Sequence, residues 1–289
     1  MIKSMTGFGK YTGEFPDKTI QVEIRSLNSK NADISIRLSS VYRMFELDLR
    51  NELTKQLERG KIDLSVYVEN KSADTPVEIN LELAKAYHLK LKELAATLGE
   101  SHSELLKEVI KMPEVMKNER KEADENEWKL IGNCIKEAIV QLNTFRSKEG
   151  KSIEADFNNR LAIINDSLFK MEELDKLRLP KIKERIRNNL NEAVGADKID
   201  QNRFEQELIY YIEKIDINEE KVRLKQHLEH FKNTMQEASS GRKLNFIAQE
   251  IGREINTIGS KANDAGIQKF VVLMKDELEK IKEQTNNVL

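Results

Sequence analysis

The sequence is poor in cysteine, proline and aromatic residues, and each shortage excludes a class of protein. Cys134 is the only cysteine among 289 residues, which excludes an intrachain disulfide framework and a thiolate zinc site. We expect it to serve as a small apolar packing residue. Four prolines, twelve glycines and 6% aromatic residues do not suit a sandwich of short strands, whereas 34% charged residues are typical of long amphipathic helices.

Long apolar runs and excess charge of one sign are also missing. No apolar stretch suits a signal peptide or a membrane span, so we expect a cytoplasmic protein without a membrane partner. The formal net charge of −2 gives no overall basic field, so any nucleic-acid site must be local. No Walker loop or dinucleotide fingerprint occurs, which argues against nucleotide-dependent chemistry.

The pattern of apolar residues predicts strands first and helices afterwards. Alternation predicts strands at 19–27 and 32–38, which we expect to pair antiparallel through a turn at 28–31. A helix at 42–57 and a strand at 62–68 follow. After a linker at 72–80, the predicted helices are 81–98, 103–111, 126–145, 152–174, 179–194, 202–215, 219–235, 242–260 and 266–284. Pro180, Gly195 and Gly241 mark expected helix boundaries.

The predicted fold is α+β and predominantly α. It has an N-terminal part rich in antiparallel strands with one helix, followed by a region of long helices. We expect three parts: the strand-rich part at 1–72, a helical middle region at 73–175 that packs with it, and a C-terminal helical domain at 176–289 that carries the candidate site.

Residues 241–263, GRKLNFIAQEIGREINTIGSKAN, form the most informative segment. Leucine and isoleucine recur at helical spacing and predict a buried stripe. The adjoining face mixes carboxylate, guanidinium, hydroxyl and ammonium groups, with amides at its edges, and such a mixture suits an anionic ligand or a metal–phosphate centre. Its members are Glu250, Arg253, Glu254, Thr257 and Lys261, with Gln249 and Asn256 at the edges and Arg242, Lys243 and Asn245 at the start of the helix.

Residues 216–227 carry a second polar face. Glu220, Arg223 and His227 share one side of a predicted helix, and Asp216 lies just before it. Carboxylates near an imidazole can hold Mg²⁺ or Mn²⁺. Without a metal, His227 could act as general acid or base while an arginine stabilises a phosphate. A solvated ladder of ion pairs is the structural alternative for such charged triplets.

Two further segments are chemically suggestive. Six cations lie between residues 176 and 187, and Lys181 and Arg185 are the ones we expect to contact RNA. Such a run could follow a phosphate backbone, or it could be an ordinary solvated helix face. Gly7 and Gly9 flank Phe8 and permit unusual backbone angles or a close backbone approach.

Along its whole length the chain resembles the YicC/YloC-like family of bacterial endoribonucleases. The matching segments are MTGFG at 5–9, VEIRSLN at 22–28, DISIRL at 33–38, RGKIDL at 59–64, FRSKEG at 145–150, FEQEL at 204–208, DINEEKVRLKQHLEHF at 216–231 and GRKLNFIAQEIGREINTIGSKAND at 241–264. Three positions depart from the family pattern: Ser29 replaces a histidine, Asn245 an aspartate and Gly252 an asparagine. These departures argue against an N-terminal catalytic histidine and against essential ligands at positions 245 and 252.

The resemblance implies a cytoplasmic, metal-stimulated endoribonuclease that assembles as a ring-like homo-oligomer, a homohexamer, around its RNA. We expect the middle region to mediate oligomerisation. Other RNA-decay enzymes are candidate partners.

Taken together, the residues and the resemblance predict RNA phosphodiester hydrolysis in RNA turnover, with Mn²⁺ or Mg²⁺. The predicted catalytic residues are His227, Glu250, Arg253 and Glu254. The predicted metal ligands are Asp216, Glu220, Glu250 and Glu254. The predicted RNA-binding residues are Arg223, Arg242, Lys243, Gln249, Asn256, Lys261, Lys181 and Arg185. Two alternatives stay open: a metal-free reaction with the RNA 2′-hydroxyl as nucleophile, and a noncatalytic RNA-binding clamp or adaptor that recruits other ribonucleases. A helical scaffold is a third class.

Overall fold

The computed structural model describes residues 2–29, 31–71, 77–99, 104–118, 125–194 and 200–289. The elements in chain order are β1 Gly7–Glu14, β2 Lys18–Leu27, β3 Ala32–Arg37, a 3₁₀ helix Ser40–Phe45, α1 Glu46–Leu57, β4 Gly60–Asn70, β5 Val77–Ile79, α2 Leu81–Leu98, α3 Leu105–Lys111, β6 Met116–Asn118, α4 Glu125–Val194, α5 Gln201–Ile215, α6 Asn218–Thr234, α7 Gly241–Ala262 and α8 Ala265–Thr285. Residues 72–76 of the expected linker and Gly195 lie outside these ranges, whereas 77–79 form a strand that pairs with β6.

The N-terminal sheet has four strands in the order β1-β2-β4-β3. The predominantly α fold with a strand-rich N-terminal part is confirmed, but the predicted antiparallel pair of 19–27 with 32–38 is wrong. β4 lies between β2 and β3, antiparallel to β2 and parallel to β3. The physical reason is the connection between β3 and β4, because a crossover through α1 brings the chain back in the same direction. Ile62 and Leu64 of β4 are fully buried, as expected of a central strand.

The sequence pattern missed β1, and its two glycines explain why. A Cβ atom on Gly9 would lie 2.1 Å from the Ala138 carbonyl oxygen of α4, and one on Gly7 would lie 2.8 Å from the Leu142 side chain. The expected close backbone approach is therefore confirmed. Glycine at these positions lets β1 lie directly against α4, but it also removes the apolar alternation from which strands are recognised.

α4 is a single helix of 70 residues, about 105 Å at 1.5 Å per residue. It merges the three helices predicted at 126–145, 152–174 and 179–194, and Pro180 lies inside it rather than at a helix start. Buried contacts near Pro180 anchor this part of α4 to α5 and α7. The Arg178 guanidinium donates to the carbonyl oxygens of Ala262 and Ile215, both at 2.8 Å. The expected boundary between residues 175 and 176 falls inside α4, and the three-part division stays a prediction.

Two hydrophobic cores lie along α4. One joins the sheet and α1 to the first part of α4 and contains Cys134, which is buried as expected. The other joins the middle of α4 to α6, α7 and α8. The chain ends meet at the second core, which contains Ile2 and Val288. There the amide of Met5 donates to Asn287 (2.8 Å) and that of Leu289 to Lys3 (2.9 Å). In the described ranges, no helix has the length and apolar character needed to cross a membrane.

Candidate functional site

α7 is the amphipathic helix that its sequence predicts. Its apolar stripe packs into the C-terminal core, with Leu244, Ile251, Ile255 and Ile258 fully buried. Glu254 lies beside this stripe and is only 9% exposed. Within the described part of the chain, no hydrogen bond or ion pair reaches its carboxylate. Unlike Glu220 Oε2, its oxygens are not fully buried, so they stay open to water or a ligand, and this position is a candidate for a functional role.

α6 and α7 pack side by side and run antiparallel. The start of α6 and the end of α7 are joined by an ion pair in which Lys261 Nζ lies 2.7 Å from Glu220 Oε1. Glu220 is 5% exposed, and its second oxygen, Oε2, is buried without a hydrogen-bond partner in the described residues. This half-satisfied carboxylate belongs to the first turn of α6, and Lys261 belongs to the last turn of α7.

The pairing brings His227 and Glu254 to the same level of the two helices. His227 lies seven residues after Glu220, and Glu254 lies seven residues before Lys261, so each is about 10 Å from the Glu220–Lys261 tie. Spacings of three and four residues keep each side chain on the stripe that carries the tie. His227 is half-buried, and no hydrogen bond or ion pair joins it to any described residue. The helix pair thus carries an imidazole and a carboxylate at a similar level along its two helices.

The two predicted arginines lie at the edges of this face in exposed ion pairs. Arg253 Nη1 lies 2.6 Å from Glu250 Oε1, and Arg223 pairs with Glu219 one turn before it. These pairs have the local spacing of an ordinary ladder, which is the structural alternative considered for them. The sequence pattern places Arg223 on one face with Glu220, whereas the observed partner is Glu219. The i,i+4 spacing of Glu219 and Arg223 could have predicted this pair.

The four predicted metal ligands do not come together in one chain. Glu220 pairs with Lys261, and Glu250 pairs with Arg253. Asp216 Oδ1 accepts a hydrogen bond from the Asn218 amide at 3.0 Å and so caps the start of α6. Across the described ranges, no three His, Cys, Asp or Glu side chains are grouped closely enough to hold a metal ion. One chain therefore does not provide a fitting donor set, and the assignment of these ligands stays a prediction.

The predicted RNA-binding residues are spread over several surfaces. Gln249 and Asn256 are exposed along α7, and Lys181 and Arg185 are exposed near the end of α4. Lys243 Nζ lies 2.8 Å from Glu237 Oε1, and Arg242 lines a cleft at the start of α7.

Two residues singled out in the sequence have structural explanations. Arg178 of the basic run is buried and anchors carbonyl groups, so it is not available to phosphate. At Gly252, a Cβ atom would lie 3.2 Å from the Leu278 side chain, so glycine lets α7 approach α8 closely.

The scaffold and the face together define a class of protein: an α+β chain with two cores that presents an imidazole, carboxylates and cations on an antiparallel helix pair. Comparison with known families gives a more specific result. The sequence model described as "Endoribonuclease YicC-like, N-terminal region" matches residues 2–155, and "Endoribonuclease YicC-like, C-terminal" matches residues 171–289. The chain belongs to the YicC-like endoribonuclease family.

Curated relatives of similar length agree with this assignment. The chain is 35% identical over 295 residues to "Probable endoribonuclease YicC" of Clostridioides difficile (strain 630). It is 31% identical over 296 residues to the protein of the same name in Haemophilus influenzae (strain ATCC 51907 / DSM 11121 / KW20 / Rd). Each alignment covers 100% of both chains.

Proposed function

We propose that this protein is a cytoplasmic endoribonuclease that cleaves RNA phosphodiester bonds in RNA turnover, and that the reaction takes place on the α6–α7 face. The observation that carries the proposal is the α6–α7 pair tied by Glu220 and Lys261, whose helical spacing puts His227 at a similar level to Glu254, a carboxylate with no partner in the described chain. Membership of the endoribonuclease family supports the reaction class. Assembly as a homohexamer around RNA, with other RNA-decay enzymes as partners, is part of the same proposal and rests on the family resemblance.

The described side chains suit proton transfer beside an anion. His227 would take the proton from the attacking oxygen and return a proton to the leaving 5′-oxygen, as a general base and then a general acid. Glu254, at the same level, would orient the imidazole and stabilise its protonated form. Arg223, Arg253 and Lys261 would supply positive charge to the phosphate oxygens. Because these three cations already pair with nearby carboxylates, a phosphate would replace an existing partner rather than meet an isolated charge.

The attacking oxygen is either water or the RNA 2′-hydroxyl. The resemblance alone supports a need for Mn²⁺ or Mg²⁺, since the four predicted ligands are not gathered in one chain. The product ends separate the two reactions. Attack by the 2′-hydroxyl forms a cyclic phosphate as the 5′-oxygen leaves, whereas attack by water leaves no cyclic product.

The test is cleavage of an end-labelled single-stranded RNA by the full-length protein, with and without a chelator. We expect His227→Ala to lower the rate by at least about 100-fold, the usual contribution of a general acid or base. His230→Ala is the matched control, because His230 is an exposed histidine on the same helix.

Equal rates for the two histidine variants would exclude the proposed role of His227. Purified wild-type protein that binds the RNA without cutting it would favour the noncatalytic clamp.

A further inference from the structure

A cleft of about 640 Å³ opens beside the first turn of α7, away from the His227–Glu254 level. The turn after β2, the end of α1, the start of α7 and the end of α8 all contribute to it. Its polar lining consists mainly of guanidinium and amide groups, from Arg59, Arg242, Asn28, Asn31, Asn245 and Asn286. None of the described residues that line it is acidic. This surface offers hydrogen-bond donors and positive charge without a competing carboxylate in its wall.

The Arg59 guanidinium is held in place at the edge of this cleft. Its Nη2 donates to the Val288 carbonyl oxygen at 2.6 Å. A Cβ atom on Gly241 would lie 2.8 Å from Arg59 Nη2 and 2.2 Å from the Val288 oxygen, so only glycine permits this approach. The arginine is therefore fixed by the fold before any ligand arrives, which reduces the entropy lost on binding.

Positive charge is concentrated around the cleft. Burial and the neighbouring charge of Arg242 lower the pKa of Arg59, although Glu58 acts in the opposite direction. Behind the cleft wall, the 1% exposed Arg146 donates from Nη2 to the Met5 carbonyl oxygen at 3.4 Å. In the described ranges, no carboxylate forms an ion pair with Arg146.

The positive end of a long helix faces the same space. α7 has 22 residues, and its first two residues, Gly241 and Arg242, line the cleft. No side chain caps this end, because Ser240 makes no capping hydrogen bond. The Gly241 amide instead donates to the main-chain oxygen of Leu289 at 3.0 Å, so the positive charge of the cleft comes mainly from its arginines.

We propose that this cleft binds a phosphodiester group of the RNA strand, at a site separate from the proposed site of cleavage. The choice of RNA as the source of the phosphate rests on the proposed function. Gly241 and Glu254 are thirteen residues apart, about 20 Å along α7, so the cleft holds the strand at a distance from the bond that is cut. Arg59 and the amides of Asn28, Asn31, Asn245 and Asn286 thereby join the RNA-binding residues.

The experiment changes the charge at one lining position in both directions. The affinity of the full-length protein for a fluorescein-labelled single-stranded RNA is measured by anisotropy, in a His227→Ala background. We expect Asn245→Asp to weaken binding by about fivefold or more, since it places a negative charge beside the phosphate. Asn245→Lys should strengthen binding, and Arg59→Gln should lower the slope of log K against log salt concentration by about 0.7.

Two controls separate binding from folding. Lys269→Gln removes an exposed cation of α8 that lies about 24 Å from Thr285 along the helix, and it should leave the affinity unchanged. Thermal unfolding of each variant should match the parent, because an aspartate in the first turns of a helix is favourable. Opposite effects of aspartate and lysine at one position cannot come from a shared loss of folding.

Equal affinities for both Asn245 variants would overturn the proposal. A second experiment measures the melting temperature with inorganic phosphate. If phosphate raises it for the wild type but not for Asn245→Asp, while the RNA affinities of the variants stay equal, the cleft binds a free anion. The assignment to RNA would then be wrong. Cleavage is scored separately on the wild type. If RNA binding depends on the charge at position 245 but the wild type does not cut RNA, the cleft proposal stands and the proposed nuclease activity is wrong.

Discussion

Asp175 on α4 and Glu254 on α7 are both buried carboxylates, 8% and 9% exposed, but only Asp175 has a partner for each oxygen. Its Oδ1 accepts from Arg178 Nε at 2.9 Å, and its Oδ2 accepts from Lys221 Nζ at 2.8 Å. Arg178 in turn donates to two backbone carbonyls. By contrast, Glu254 has no partner in the described chain, and Glu220 on the neighbouring helix satisfies only one of its oxygens.

The difference separates structure from function within one set of helices. A buried network whose members are all satisfied fixes the packing of the elements that it joins, and here those elements are α4, α5, α6 and α7. Glu220 Oε2 is buried without a partner, which costs stability, and Glu254 keeps a carboxylate without a protein partner at the edge of the core. Folds keep such groups mainly where function needs them. The α6–α7 face is therefore the expected place for chemistry, whereas the Asp175–Arg178–Lys221 network holds that face in position.

Removing the centre of the satisfied network should have the largest effect on stability. We expect Arg178→Met to lower the free energy of unfolding by about 3–5 kcal/mol, because it leaves buried carbonyl groups and part of a carboxylate without partners. Chemical denaturation of the full-length protein measures this loss. Arg185→Met, at an exposed position on the same helix, should change stability by less than about 0.5 kcal/mol. Similar losses for both variants would mean that the network adds nothing beyond helix packing.

Neutralising Glu254 should have the opposite effect to Arg178→Met: activity should fall while stability is kept. We expect Glu254→Gln to lower the rate of RNA cleavage by about 100-fold, because an amide cannot stabilise a protonated imidazole. Stability should stay within about 0.5 kcal/mol of the wild type, since the substitution removes no hydrogen bond or ion pair of the described chain.

Glu283→Gln, on the exposed side of α8, is the matched control and should change neither quantity. A loss of stability with full cleavage activity in Glu254→Gln would reverse the comparison and make Glu254 structural.

Local patterns in the sequence were sufficient to predict α7 and its two faces. The apolar stripe from Leu244 to Ile258 repeats at helical spacing, and every predicted member is buried. The polar face beside it was equally legible. The register of α7 against α6 could not be predicted from the sequence, because the Glu220–Lys261 ion pair joins residues that are far apart in sequence. Lys261 was predicted only as a phosphate ligand, and its contact with Glu220 depends on how the two helices pack.

The same limit explains the errors in the fold. Pro180 predicts a boundary from local geometry, but the helix continues through it, and beside it Arg178 anchors α4 to Ala262 and Ile215 of the neighbouring helices. The position of β4 between β2 and β3 follows from the crossover through α1, which strand pattern alone does not contain. The cleft beside α7 is assembled from five separate parts of the chain. Of its two arginines, Arg242 was predicted to bind RNA, whereas Arg59 was visible in the sequence only within the RGKIDL segment that resembles the family.

A satisfied carboxylate on α8 extends the comparison to pH. Glu277 is 7% exposed; its Oε1 accepts from Lys280 at 2.6 Å and its Oε2 from Arg160 at 2.9 Å. The hydrogen bond from Lys280, helped by that from Arg160, lowers the pKa of Glu277 although burial acts against it. The folded state therefore binds this proton less readily than the unfolded state, whose pKa lies near the ordinary value of 4.5. The stabilisation is present above that value and is lost as the pH falls through it towards the lowered pKa.

Denaturation of the wild type and of Glu277→Gln from about pH 7 to about pH 3 measures this effect. We expect the wild type to be more stable at neutral pH and the difference to shrink below about pH 4.5, where the unfolded chain takes up the proton. Glu283→Gln should show no such change, since Glu283 is exposed. A difference for Glu277→Gln that stays constant across this range would show that Glu277 contributes through its shape and not through its charge. In that case the contrast between satisfied and unsatisfied carboxylates would rest on Asp175 alone.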